Sequence, residues 1–199
     1  NNFTITNSIL NSSITNDTTL VLTEAWPYPS ITNLSYLIFN PADNVQIKNL
    51  TITNSTLSTS FILAVRRAIN FLAENVLITN NSSYGGVLFN TVINSELRNV
   101  ESSYNGTIDA DQDGFSFVRV KRVALYNCSA LGNGNDGFNV SSTNFVSEGG
   151  GFYSCFAEGN SGDGFDIIGT VNLFSCRAMG NDGDGYVISG NENVLISCS

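Results

Sequence analysis

One phrase is written four times between Asp113 and the end of the chain: Asp113-Gly114-Phe115, Asp136-Gly137-Phe138, Asp163-Gly164-Phe165 and Asp184-Gly185-Tyr186. Each leads into a β-rich run and then a cysteine, Cys128, Cys155, Cys176 or Cys198. Three of the intervals close on Gly132-Asn133, Gly159-Asn160 and Gly180-Asn181. The glycines of the phrase recur at steps of 23, 27 and 21 residues, the cysteines at 27, 21 and 22. A period in the low twenties defines a repeat architecture, which constrains the chain more than any local propensity does.

The contents of one unit set the kind of repeat. Apolar side chains fall at Phe165 and Ile167, and then at Val171, Leu173 and either Phe174 or Cys176. That is the period-two pattern of short strands rather than the 3.6 period of helices. Gly-Asp-Gly and Gly-Asn segments between them are expected to supply positive φ at tight corners. Two or three strands with their corners in about 23 residues make one rung of a parallel β-solenoid. Each rung pairs with the next at roughly 4.8 Å. The expected fold is therefore all-β: a right-handed parallel β-helix of about eight rungs, each of roughly 21–28 residues and the whole roughly 40 Å long.

A single domain over 1–199 is expected, with irregular rungs over 1–110 and regular ones over 111–199. Charged residues are only 13%, a composition solenoids tolerate because stacked Asn side chains hydrogen-bond along the rod. The net charge of −9 and pI near 4.2 argue against nucleic-acid or anionic-membrane partners, which require basic surface. No apolar run approaches the length of a membrane span, and the sequence reads as a mature chain without a signal peptide. Eleven Asn-x-Ser/Thr sequons occur, at Asn2, Asn11, Asn16, Asn33, Asn49, Asn54, Asn80, Asn81, Asn105, Asn127 and Asn139. With so few lysines, they point to an extracellular or cell-surface glycoprotein.

Earlier rungs are legible without the phrase. Val45, Ile47, Leu50 and Ile52 are expected to point inward, and the run from Ala73 to Asn80 repeats that pattern one rung on. Phe61 to Val65 reads as a buried strand, with Arg66 and Arg67 at a corner. Gly85-Gly86-Val87 stands where later rungs have Asp-Gly-Phe. The segment 24–30, with Trp26, Pro27, Tyr28 and Pro29, reads as a loop, since Pro is barred from interior strands. It packs on the rod or offers a platform for sugars. Phe115, Phe138, Phe165 and Tyr186 are assigned to inward core stacking, and no exposed aromatic stack of the kind that marks a sugar groove is evident.

The runs from Asn127 to Phe138 and from Phe174 to Tyr186 resemble the repeat of right-handed parallel β-helix proteins. Within that superfamily they are most similar to pectate lyases that use a calcium ion and a lysine base, whose repeat couples an Asn-Cys-x-Ala-x-x-Asn phrase to Asp-Asp-Gly-Phe-Asp. The similarity covers 110–199 well and 40–110 only as generic rungs. The resemblance implies calcium ligands at Asp163 and Asp166, with Asp136 and Asn139 stacked one rung earlier and Asp113 before them. Gly162 replaces the first Asp of the family's pair. Oxygen ligands from neighbouring rungs suit Ca²⁺. The competing reading is that Asp-Gly simply turns a corner, its carboxylate capping backbone N–H groups.

The catalytic lysine of that family falls on Val187, which cannot abstract a proton. The chain has no histidine, which removes histidine-based hydrolase sites and histidine–zinc sites. If the protein is an enzyme, Lys121 and Arg119 are the candidate catalytic cations, on one face of an alternating Arg119-Val120-Lys121-Arg122 run with Arg122 at a bend. The preferred reading of these cations is a solvated patch balancing Asp109, Asp111 and Asp113. Aspartates two rungs apart fall near the carboxyl spacing of inverting glycosidases, roughly 6.5–9.5 Å, as those of any Asp ladder would.

In-register stacking sets the cysteine Cβ atoms about 4.8 Å apart, longer than disulfides prefer, so a buried thiol ladder is favoured, although unequal rungs could bring one pair into range. Open β-edges favour head-to-tail self-assembly or continuation of the stack. The preferred function is an extracellular structural or adhesive solenoid, a filament or appendage component with weak glycan or calcium binding. The alternative is a polysaccharide lyase or epimerase acting on uronate polymers.

Overall fold

The computed structural model describes residues 31–32, 37–39, 42–53, 61–81, 85–107, 112–141, 150–190 and 193–199. The expectations for 1–30, including the Trp26 loop, for Asp109 and Asp111, and for sequons Asn2, Asn11, Asn16, Asn33 and Asn54 lie outside these residues. Among the described residues every element is a strand, and every ladder between strands is parallel. The chain is a parallel β-solenoid.

Its first face stacks seven strands: Leu37–Phe39, Phe61–Arg66, Gly85–Asn90, Phe115–Val118, Phe138–Val140, Phe165–Ile167 and Tyr186–Ile188. Among the described residues the count is slightly below the eight rungs expected, and seven layers at roughly 4.8 Å each make about 34 Å against the 40 Å expected. The register advances by 26, 24, 28, 23, 27 and 21 residues from layer to layer, read from Leu37↔Leu63, Leu63↔Val87, Val87↔Phe115, Phe115↔Phe138, Phe138↔Phe165 and Phe165↔Tyr186. These steps fall within the rung lengths read from the sequence. Phe61–Arg66 is a strand ending at Arg67, whose φ is 52°, and Gly86 stands in register with Gly114.

The second sheet is longer because its strands bend. Gln46–Thr53, Leu72–Thr79 and Ile93–Ser103 each carry an Asn at positive φ: Asn49, Asn75 and Asn99. In later layers Asn127, Ser154 and Ser175 hold the same conformation between the separate strands Lys121–Tyr126 and Ser129–Leu131, Gly151–Tyr153 and Phe156–Glu158, and Asn172–Phe174 and Arg177–Met179. A residue at positive φ shifts the alternation by one. That is why the inward residues pass from Val45 and Ile47 to Leu50 and Ile52, all buried. The bend divides this sheet into a second face before it and a third face after it. Asn is the residue most tolerant of this conformation after Gly, and its amides stack outward: Asn75 donates to Asn49 at 3.1 Å and Asn99 to Asn75 at 3.0 Å.

Each letter of the repeat has a physical duty. Phe115, Phe138, Phe165 and Tyr186 stack inward with centroids 4.7, 4.8 and 5.0 Å apart. The thiols are free, buried at Cys128, Cys155 and Cys176 and half-buried at Cys198. They turn into the core towards carbonyls such as Leu97 O at 3.6 Å and Phe152 O at 3.4 Å. Ala130 and Ala157 are buried beside the next corner. The Gly-Asn corners have positive φ as expected: 60° at Gly132, 64° at Gly159 and 61° at Gly180.

The glycines of Asp-Gly-Phe do not, which corrects the sequence reading. A Cβ on Gly137 would lie 2.7 Å from Gly164 O, 2.9 Å from Asn160 Nδ2 and 3.0 Å from Ala157 Cβ, and Gly114 and Gly164 are confined in the same way. Glycine is there because three neighbouring groups leave no room. Filling that crowded corner is a ladder of buried asparagines. Asn81 donates to Asn105 at 2.8 Å, Asn133 to Asn160 at 3.0 Å and Asn160 to Asn181 at 2.9 Å. Each amide nitrogen also reaches a strand carbonyl, such as Ser102 O from Asn133 and Ala130 O from Asn160.

Candidate functional site

The corner preceding the first face gathers the aspartates that the sequence singled out. Ser116, Asn139, Asp166 and Val187 stand in one register column, and Asp113, Asp136 and Asp163 precede them in successive layers. Their stacking matches the expectation. Asp136 Oδ1 accepts the N–H of Asp163 at 2.8 Å, and Asp163 Oδ1 accepts that of Asp184 at 2.7 Å. Asp136 Oδ2 accepts from the Asn139 amide at 3.1 Å, and Asp113 Oδ1 from Asn135 at 2.8 Å. Each carboxylate thus caps the layer above, which is the corner role of Asp-Gly.

The same hydrogen bonds weigh against a calcium cage. One oxygen each of Asp136 and Asp163 is committed to backbone, and among the described residues no three His, Cys, Asp or Glu side chains group as a metal site. Gly162, where the resemblance calls for a second Asp, has no room: a Cβ there would lie 2.3 Å from Asp136 Oδ1. The residues present fit a capped corner better than a bound ion.

Burial governs the charge of this corner. Asp113 is pushed up to about 7, first by burial and then by the negative charge of Asp136, against hydrogen bonds from Asn135 and Ser116. Asp136 is raised by burial, opposed by the Asp163 N–H and the Asn139 amide. Asp166 is raised by burial and by the charges of Asp136 and Asp163.

The basic cluster lies elsewhere. Arg119 has φ 53° and Arg122 φ 52°, so both sit at bends and Val120 between them is buried. Arg119 is exposed and Lys121 half-buried on either side of it, and the bend at Arg122 ends the alternation. The strand Phe115–Val118 separates the cluster from Asp113, roughly 13 Å of extended chain. Arg122 bonds the Asn94 amide beneath it. Among the described residues the salt bridges are Lys48–Glu74 and Arg98–Glu96, so no ion pair joins this cluster to Asp113.

Two of the sequon asparagines are interior. Asn81 and Asn105 are 0% exposed and belong to the buried ladder, so a glycan on either would have to displace it. Asn80 and Asn127 are exposed, while Asn49 and Asn139 are partly so.

A further feature was missed in the sequence. Tyr126, Tyr153 and Phe174 project outward from the second face in successive layers, each half-buried. Their centroids lie 4.9 and 5.1 Å apart, with interplanar angles of 14° and 6°. Rings so nearly parallel at that separation are slipped over one another. Arg98 caps one end, its guanidinium 5.6 Å from the Tyr126 centroid, while its Nε donates to Glu96 at 2.7 Å. Ile196 continues the column beyond Phe174. The signal was present: each ring stands two residues before a repeat cysteine. On an unbent strand that spacing would share the cysteine's inward face; the bend at Asn127, Ser154 or Ser175 turns the ring outward.

The fold and these two surfaces define a parallel β-solenoid with a capped acidic corner and an outward aromatic ladder. No family model and no curated protein matches the chain. It shows a loose similarity to the solved structure of "a putative glycosyl hydrolase from Parabacteroides merdae ATCC 43184", at 12% identity over 82% of this chain and 80% of that one. The TM-score of 0.29 is too low for that likeness to bear on function.

Proposed function

We propose that this chain is an extracellular β-solenoid of structural or adhesive role that contacts polysaccharide through its aromatic ladder. The observation that carries the reading is the run Tyr126–Tyr153–Phe174, three large rings partly open to solvent in consecutive layers. Because the rings cover one another's faces, they present to solvent a row of apolar ring edges and the tyrosine hydroxyls, a mixed surface that suits the apolar C–H groups and polar hydroxyls of a pyranose. Native gels cast with a polysaccharide panel test it: at least one polymer should retard the protein, and free migration in all of them would sink the reading. Head-to-tail self-assembly at open β-edges, or continuation of the stack by further chain, is proposed on the same footing. Concentration-dependent mass in sedimentation measures it.

The competing reading is a polysaccharide-cleaving enzyme at the acidic corner. Its support is the raised carboxyls of Asp113, Asp136 and Asp166, since a general acid must keep its proton near neutrality. Against it, Asp113 and Asp136 are only 6 and 7% exposed and face their own chain, and Lys121 and Arg119 lie beyond the strand. Product release from uronate and neutral polymers, with and without calcium, distinguishes the two: turnover that is lost in Asp166→Asn would establish the enzyme.

A further inference from the structure

Resting on the adhesive reading, we infer that the ligand of the ladder is an uncharged polysaccharide chain running parallel to the solenoid axis, and not a polyuronate. Direction follows from the repeat. The three rings recur once per layer, at 4.9 and 5.1 Å, so equivalent contacts repeat along the axis and a polymer of like units can meet them in turn. A ligand laid along a strand, within one layer, would meet one ring only.

Charge decides the class. The cation at the head of the ladder, Arg98, is committed to Glu96, with Nε and Nη2 both on one carboxylate oxygen. The polar groups of the adjoining bend are an amide and hydroxyls, Asn127, Ser154 and Ser175, which offer hydrogen bonds without charge. Arg177, on the third face, lies over the Phe156 ring at 5.7 Å and donates to Met179. The chain as a whole carries −9, which repels a polyanion at any distance within the screening length. A carboxylate on every sugar would thus meet Arg177, already engaged with Phe156 and Met179, and, at the start of the Tyr126 strand, Lys121 and an Arg122 bonded to Asn94, with net repulsion elsewhere.

The test is affinity electrophoresis and calorimetry of the whole chain against neutral polymers (a mixed-linkage β-glucan, xylan and a mannan) and acidic ones (polygalacturonate and alginate). Expected is retardation by at least one neutral polymer, unchanged by 0.5 M NaCl because screening leaves uncharged contacts intact. Tyr153→Ala should weaken it about fivefold or more, the equivalent of one well-packed ring, whereas Tyr153→Phe should retain most of it. Thermal melts of both variants verify that the solenoid persists, and a further variant, Phe174→Ala, covers the case in which Tyr153→Ala does not fold. Binding to acidic polymers alone, abolished by salt, would overturn this inference and leave the adhesive reading standing. Binding to none would overturn that reading itself.

Discussion

Asn133 shows how much a single side chain supports here. Its Nδ2 donates to Ser102 O at 2.9 Å and to Asn160 Oδ1 at 3.0 Å, while its Oδ1 accepts the Asn105 N–H at 3.2 Å. None of these partners has water as an alternative, because the ladder is buried. Asn133→Ala should therefore cost about 2–4 kcal/mol, the penalty for orphaning buried polar groups, read as a lowered urea midpoint. Asp113 is the opposite case, a buried acid that the fold holds against ionisation. Its value rises from 3.8 to about 7, so the folded state binds the proton more tightly than the unfolded chain. The associated stability is full below pH 4 and is lost as pH rises through 7. Denaturation midpoints should fall between pH 5 and 8 on this account, by an amount on the order of a few kcal/mol. Asp113→Asn should flatten that slope. An unchanged slope would show that the carboxyl ionises freely.

Corners decide the strands. The tight Asp-Gly-Phe corner works because the layer above supplies a carbonyl, an amide and a methyl group where a Cβ would be, as at Gly137. The adjacent Gly162 is confined by the Asp136 carboxylate, which is engaged in capping Asp163. Gly162→Asp, the change that would complete the lyase-like Asp pair, should therefore destabilise by about 1–3 kcal/mol, the usual cost of overpacking. It should also not create calcium-dependent stabilisation in a thermal melt with and without the ion. A calcium-dependent rise in melting temperature would reverse that conclusion. The bends of the second sheet act similarly: one positive-φ residue per layer transfers the inward role from Tyr126's neighbour Leu125 to Cys128, leaving the ring outside.

The whole stack excludes solvent from its thiols. Cys128, Cys155 and Cys176 are each 1% exposed. Burial pushes the Cys155 thiol well up, and Cys176 is raised first by its hydrogen bond with Cys155 and then by burial. Thiolate is the reactive form, so a thiol reagent at pH 8 should label Cys198 alone in the native protein and all four after unfolding. Rapid labelling of more than one site in the native state would show that the layers open. Protection of that kind is a property of the assembled rod, since each layer covers the one beneath and a single layer has no interior of its own.

The repeat was legible because stacking forces equivalent residues to recur: the parallel solenoid, the inward Phe column, the thiol ladder and the Asp column each follow from a fixed spacing. Composition added that the surface is acidic. What spacing cannot carry is the sign of φ at a corner. Asn49, Asn127, Ser154 and Arg119 look like ordinary strand residues in sequence, yet their positive φ reassigns every neighbour between inside and outside. For that reason alternation alone does not disclose the exposed Tyr126–Tyr153–Phe174 ladder. Burial of Asn81 and Asn105, which as sequons read as surface, likewise depends on which layer covers which corner. The sequence by itself determined the repeat and its core; only the tertiary stack decided which side chains meet water, because a residue's exposure here is set by the layer above it.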